Sequence, residues 1–173
     1  MRDKMIIQEL TDRQLSNLVE NYRRAGKTEG GKHSLAEVRL ELQRRLGKAY
    51  NGRDAALKIV DLAKQSDDGL VTYLELWKSF YPEQEFIGHK SVREVMAILG
   101  AAAYYCATFP GGPWPIVTAA VAQSSKRVVS KKAKENIFNA AKDCGLDTGP
   151  DVEGFYQIQL EGTKKLVASD LPE

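Results

Sequence analysis

Residues 70–81, LVTYLELWKSFY, residues 91–106, SVREVMAILGAAAYYC, and residues 113–122, PWPIVTAAVA, decide how this chain reads. The first stretch opens with Leu70 and Val71, enough for one short strand. It runs into Thr72-Tyr73-Leu74-Glu75, a capping box in which a hydroxyl takes an orphan amide and the glutamate reaches back. Leu76, Trp77 and Phe80 supply the apolar contacts of the helix this predicts, and Pro82 marks its end. Ser91-Val92-Arg93-Glu94 repeats the capping pattern. Val92, Val95, Met96, Leu99, Ala102, Ala103 and Cys106 then give a stripe with a period of about 3.6 residues. In the third stretch the Pro-bounded apolar run predicts a strand over residues 116–122. Gln123-Ser124-Ser125-Lys126-Arg127 reads as a hairpin tip, with Val128-Val129 beginning the return. A helix pair followed by a β-ribbon is the layout of a winged-helix DNA reader.

Before this stretch the sequence predicts three amphipathic helices. Thr11 or Asp12 caps the first, with Leu10 placed as a staple. Leu15, Leu18, Val19 and Tyr22 form its stripe, and Gly26 ends it. Ser34-Leu35-Ala36-Glu37 is another capping box, followed by Leu35, Val38, Leu42 and Leu46 as the inward face and Gly47 as the stop. A third helix is expected over residues 54–65. After the stretch, Ser130 caps a helix that Gly145 terminates, and Pro150-Asp151 opens the last one. The tail over residues 169–173 is expected to fray. The fold class is therefore mainly α with a small β element (α+β). Residues 1–66 form an N-terminal three-helix region packed on a winged-helix-like domain, residues 67–145, and residues 146–173 supply a C-terminal helix and tail.

Composition sets the limits on function. The chain has 173 residues, 28% of them charged, and a net charge of +2. That balance does not mark an obligate nucleic-acid binder, though a local basic face is compatible with it. Residues 1–66 hold fourteen basic and nine acidic residues, and residues 126–142 hold six basic residues and one acidic. Cys106 and Cys144 sit in apolar helical patterns without metal-ligand spacing and read as reduced, packed thiols. Met5-Ile6-Ile7 is too short for a secretory apolar core, and prolines and glycines break the least polar window, so the expected setting is cytoplasmic with no membrane contact. His33 and His89, in polar loops, are the only histidines. No nucleophile–base pair, phosphate-binding glycine loop, zinc spacing or other cofactor or metal motif stands out.

Two resemblances follow from these residues. The order Val71-Thr72-Tyr73-x-Glu75-Leu76, Val92-Arg93-x-Val95 leading to Leu99-Gly100, and Pro113-Trp114-Pro115-Ile116-Val117 resembles the winged-helix domain of the alkylguanine-DNA alkyltransferases and alkyltransferase-like proteins, over residues 70–122. In the alkyltransferases the apolar run leads into a P-C-H-R motif that carries the acceptor thiol. This chain has Thr118-Ala119-Ala120-Val121 there, so the resemblance implies the fold without alkyl transfer. The second resemblance spans nearly the whole chain. Leu10-Thr11-Asp12-x-Gln14-Leu15-x-Asn17-Leu18 with Arg23-Arg24, Trp114-Pro115-Ile116-Val117, and Ile137-Phe138-x-Ala140-Ala141-Lys142-x-Cys144-Gly145 are similar to a family of small bacterial proteins with no assigned function. In its commoner members a V-V-N-K segment stands where this chain has Val121-Ala122-Gln123-Ser124. This resemblance implies one unit of fixed length in a bacterial intracellular setting.

Two functions from different classes are then expected. One is a non-catalytic DNA-binding or regulatory protein. In it Lys90, Ser91 and Arg93 open the recognition helix, Lys126 and Arg127 form the wing tip, and Lys131 and Lys132 adjoin it on the phosphate backbone. Set against it, the second helix is simply a core helix with a solvated first turn. The other is a protein–protein interaction module, a regulator or mobile-element accessory factor. It uses the same fold as a scaffold and presents Trp77, Tyr104, Tyr105 or Trp114 to a partner.

Overall fold

The computed structural model describes residues 6–123 and 125–173. A 3-10 turn, Ile7–Glu9, precedes α1 (Asp12–Ala25), α2 (Leu35–Leu46) and α3 (Gly52–Gln65). Then come β1 (Val71–Thr72), α4 (Tyr73–Phe80) and α5 (Gly88–Thr108). A 3-10 turn, Val117–Ala120, leads into β2 (Val121–Ala122), followed by α6 (Lys131–Asp143), α7 (Val152–Lys165) and a closing 3-10 turn, Ala168–Asp170. Met5 and Ser124, which the sequence placed in the apolar N-terminal triplet and the hairpin tip, lie outside the described residues.

Local chemistry fixes most helix ends. Thr11, Ser34 and Thr72 each accept a backbone N–H three residues on, and Gln14, Glu37 and Glu75 return the bond to the cap amide. Ser130 accepts from the Ala133 amide at 3.1 Å. Gly26 ends α1 at φ 61°, a left-handed conformation that costs glycine little. The third expected capping box does not form. α5 starts four residues earlier, after Ile87. Ser91 is buried inside its first turn, with Oγ accepting from the Ile87 amide at 2.9 Å. Glu94 accepts instead from Trp77 Nε1 at 2.9 Å, joining α5 to α4. The motif is intact in sequence, but its side chains have better tertiary partners than the helix terminus.

The main core lies between α3, α4, α5 and α7. Ile59 and Val60 of α3, Leu76 and Trp77 of α4, and Val95 and Ile98 of α5 are at most 1% exposed. The turn from α2 to α3 presses on α5 through Gly47: a Cβ there would lie 2.4 Å from the Cα of Ala101. A second, smaller cluster joins Leu10, Leu15 and Val38, and it holds the first 3-10 turn and α1 against α2.

The apolar run 116–122 is not one strand. Four residues wind into a 3-10 turn, and only Val121 and Ala122 pair, in parallel, with Val71 and Thr72. Ile116 through Ala122 are all buried, so the run is a core plug rather than one face of a ribbon. Among the described residues Val128 and Val129 belong to no strand, and the antiparallel return expected of a wing is not formed. The tail does not fray either. Leu171 is 1% exposed, and its carbonyl accepts from Arg53 Nε at 3.0 Å. Among the described residues no helix is long and apolar enough to cross a membrane.

Candidate nucleic-acid interface

The seven basic and polar residues singled out in the sequence meet different fates. Lys90 and Arg93 are exposed on the first turns of α5, whereas Ser91 between them is 3% exposed and faces the protein. Lys126, Lys131 and Lys132 are exposed before and at the start of α6. Lys132 has one nearby carboxylate, Glu135, at 3.9 Å, a loose surface pair.

Arg127 is committed to the protein itself. Its Nε donates to Asp68 Oδ2 at 2.8 Å and its Nη1 to Glu75 Oε1 at 2.9 Å. Its Nη2 reaches Ser66 Oγ, Asp68 Oδ1 and the Leu70 carbonyl. The residue holds a left-handed backbone at φ 55°, uncommon for a side chain with a Cβ. The guanidinium drives the Asp68 carboxyl well below the usual range, helped by Ser66 and the Leu70 amide. Burial pushes Glu75 upward, but the Thr72 amide and Arg127 outweigh it and leave a net lowering. Arg127 thus ties the loop before α6 to the turn after α3 and to the start of α4. No local sequence signal marks this role, because its partners lie more than fifty residues away.

Beside the lysines runs a cleft of about 410 Å³ between α5, α6 and the end of α2. Met96, Leu99 and Ala103 of α5 line one wall, and Lys132, Asn136 and Asn139 of α6 line the other. Leu46, expected inside, is 48% exposed here, and Met96 is 36% exposed. Tyr73 closes one end, with its hydroxyl 3.4 Å from Met96 Sδ. Burial raises its phenol pKa. At the other end Asp143 lies 3.6 Å from Arg39; burial pushes its carboxyl up, and Arg39 opposes the shift. Sequence reading missed the cleft. Its only local trace is the spacing of Lys132, Asn136, Asn139 and Asp143, which puts polar groups on one face of α6.

Two aromatic residues offered as a partner surface are core residues: Trp77 is 1% exposed and Tyr105 7%. Trp77 stacks near Tyr81 and Phe86. Cys106 is fully buried, and burial pushes its thiol up to about 12; Cys144 is half-buried and raised to about 11 by burial, and both are free. Such thiols are poor nucleophiles. Among the described residues no cluster of three or more His, Cys, Asp or Glu side chains is placed to hold a metal ion.

No family model, curated protein or solved structure matches the chain.

Proposed function

We propose that the chain is a non-catalytic DNA-binding or regulatory protein that meets duplex DNA with the starts of α5 and α6. One observation carries this reading. Met96 and Lys132 line the same cleft, and Arg93 lies one turn before Met96 on α5. Arg93 of α5 and Lys132 of α6 therefore stand near one opening, while Lys90 lines a separate recess with Trp77 and Glu94. Neither first turn contains an acidic side chain, so each helix dipole adds to the positive potential. Lys90, Arg93, Lys126, Lys131 and Lys132 are the contacts; Ser91 and Arg127 are not, since one is buried and the other is consumed by carboxylates.

The test is duplex binding by fluorescence anisotropy across a salt series. Changing Lys126, Lys131 and Lys132 together to Glu is expected to weaken binding at least about tenfold near 100 mM salt. It should also flatten the plot of log affinity against log salt by about 0.9 per lost phosphate contact. Arg127→Ala should leave that slope unchanged. Equal binding by the triple variant would remove the reading.

A protein-interaction module is the second reading. The observation favouring it is the exposure of Leu46 and Met96 in the cleft, where apolar surface faces solvent.

A further inference from the structure

The cleft between α5 and α6 differs chemically from the cationic rim beside it. Its floor and one wall are apolar: Leu46, Met96, Leu99 and Ala103. Its other side carries carboxamides. Gln123, Asn136 and Asn139 are exposed there, and each offers both a donor and an acceptor. Gln43 lines the far end together with Asp143. Carboxamides beside an apolar floor suit a ligand whose own polar groups alternate donor and acceptor along its length.

Length and charge narrow that ligand. The cleft follows α6 from Lys132 to Asp143, which at 1.5 Å per residue is about 16 Å. A single small ring system would fill only part of it, whereas about five residues of extended chain, at roughly 3.3 Å each, would span it. The ends differ in charge: one is positive and the other holds a paired carboxylate. Lys132, with its side chain 77% exposed, and the N-terminus of α6 make one end positive. Asp143, clasped by Arg39, stands at the other.

We propose that this cleft binds an extended segment of a protein partner, about five residues long, with an apolar side chain on the Met96–Leu99–Ala103 floor and a carboxylate at the Lys132 end. The carboxamides hydrogen-bond its main chain, as a ladder partner would. The proposal rests on the interaction-module reading and shares only Lys132 with the proposed DNA contacts.

The experiment is selection of random eight-residue peptides on the full chain, then anisotropy with the selected peptides labelled. Enriched peptides should share an acidic residue at a fixed spacing from an apolar one. Asn136→Trp places bulk in the cleft at an exposed position that does not endanger folding, and should weaken their binding at least about tenfold. Lys132→Glu should do the same for acidic peptides and restore binding to versions with the acid replaced by Lys. Lys126→Glu with Lys131→Glu, outside the cleft, should leave peptide binding intact while lowering DNA affinity, so the two readings fail separately. The proposal is overturned if no peptide is enriched or if Asn136→Trp binds the peptides unchanged. It is equally overturned if an eight-nucleotide single strand, or a second copy of this chain, takes the cleft in place of the peptides, as Asn136→Trp would reveal.

Discussion

α1 and α5 are both amphipathic helices with clean apolar stripes, yet they are held in different ways. α5 is enclosed by α2, α3, α4, α6 and the 3-10 turn at Val117–Ala120, and its Val95, Ile98 and Ala102 are fully buried. α1 packs chiefly on α2, with Leu15 as its fully buried anchor and Tyr22 nearly so. Its lobe relies on polar sutures as well. Arg45 donates to the carbonyls of Gln8 and Leu10 at 3.1 and 2.7 Å and to Glu41 at 2.6 Å. Amphipathicity in a sequence states that a helix needs a partner, not how much partner the fold supplies. The cleft lies where these two regimes meet: α2 belongs to the lobe, and its Leu46 reaches over α5.

The contrast can be broken from its strong side first. Trp77→Ala should cost about 3–5 kcal/mol in denaturant unfolding, because it opens a cavity under α5 and strands Glu94. The loss should be global, with amide exchange rising in α3 and α5 together. Leu15→Ala should cost less, about 2–3 kcal/mol. Exchange should then accelerate in α1 and the start of α2 while α5 stays protected. Equal acceleration in α5 would show that the lobe and the core unfold as one unit.

The smallest effect concerns Glu41, which is 5% exposed. The hydrogen bond from Arg44 lowers its carboxyl from the ordinary 4.5 to about 2, against burial and with help from Arg45. Because the folded value is the lower one, the stabilisation is fully present above pH 4.5 and is lost as pH falls through 2. Glu41→Gln should therefore cost about 1 kcal/mol at pH 7, with the deficit shrinking as the pH falls from 4.5 toward 2. A deficit that persists at pH 2 would assign the effect to packing rather than charge.

Much of the helical layout was legible in the residues. Thr11, Ser34, Thr72 and Ser130 cap helices as read, and Gly26 stops α1. These signals act over three or four residues, so no distant contact was needed to find them. The misread segments share a physical feature. Ser91 and Glu94 form a sound capping box on paper, but Ile87 and Trp77 compete for the same oxygens. Residues 116–122 have strand composition, but they are buried on every side, among the described residues they pair only with β1, and most wind into a 3-10 turn. The candidate site divides in the same way: exposed Lys90, Arg93, Lys126, Lys131 and Lys132 could be named in advance, while the cleft and the commitment of Arg127 could not.

The sequence by itself determined where this chain turns helical, because caps, stops and apolar periodicity are local properties of consecutive residues. Only the tertiary structure decided which of its charges remain free and which apolar groups stay uncovered. Arg127 meets Asp68 and Glu75 through contacts between residues more than fifty positions apart, and Leu46 and Met96, fifty positions apart, line one cleft. Such contacts are set by how helices pack, and no short window of sequence contains them.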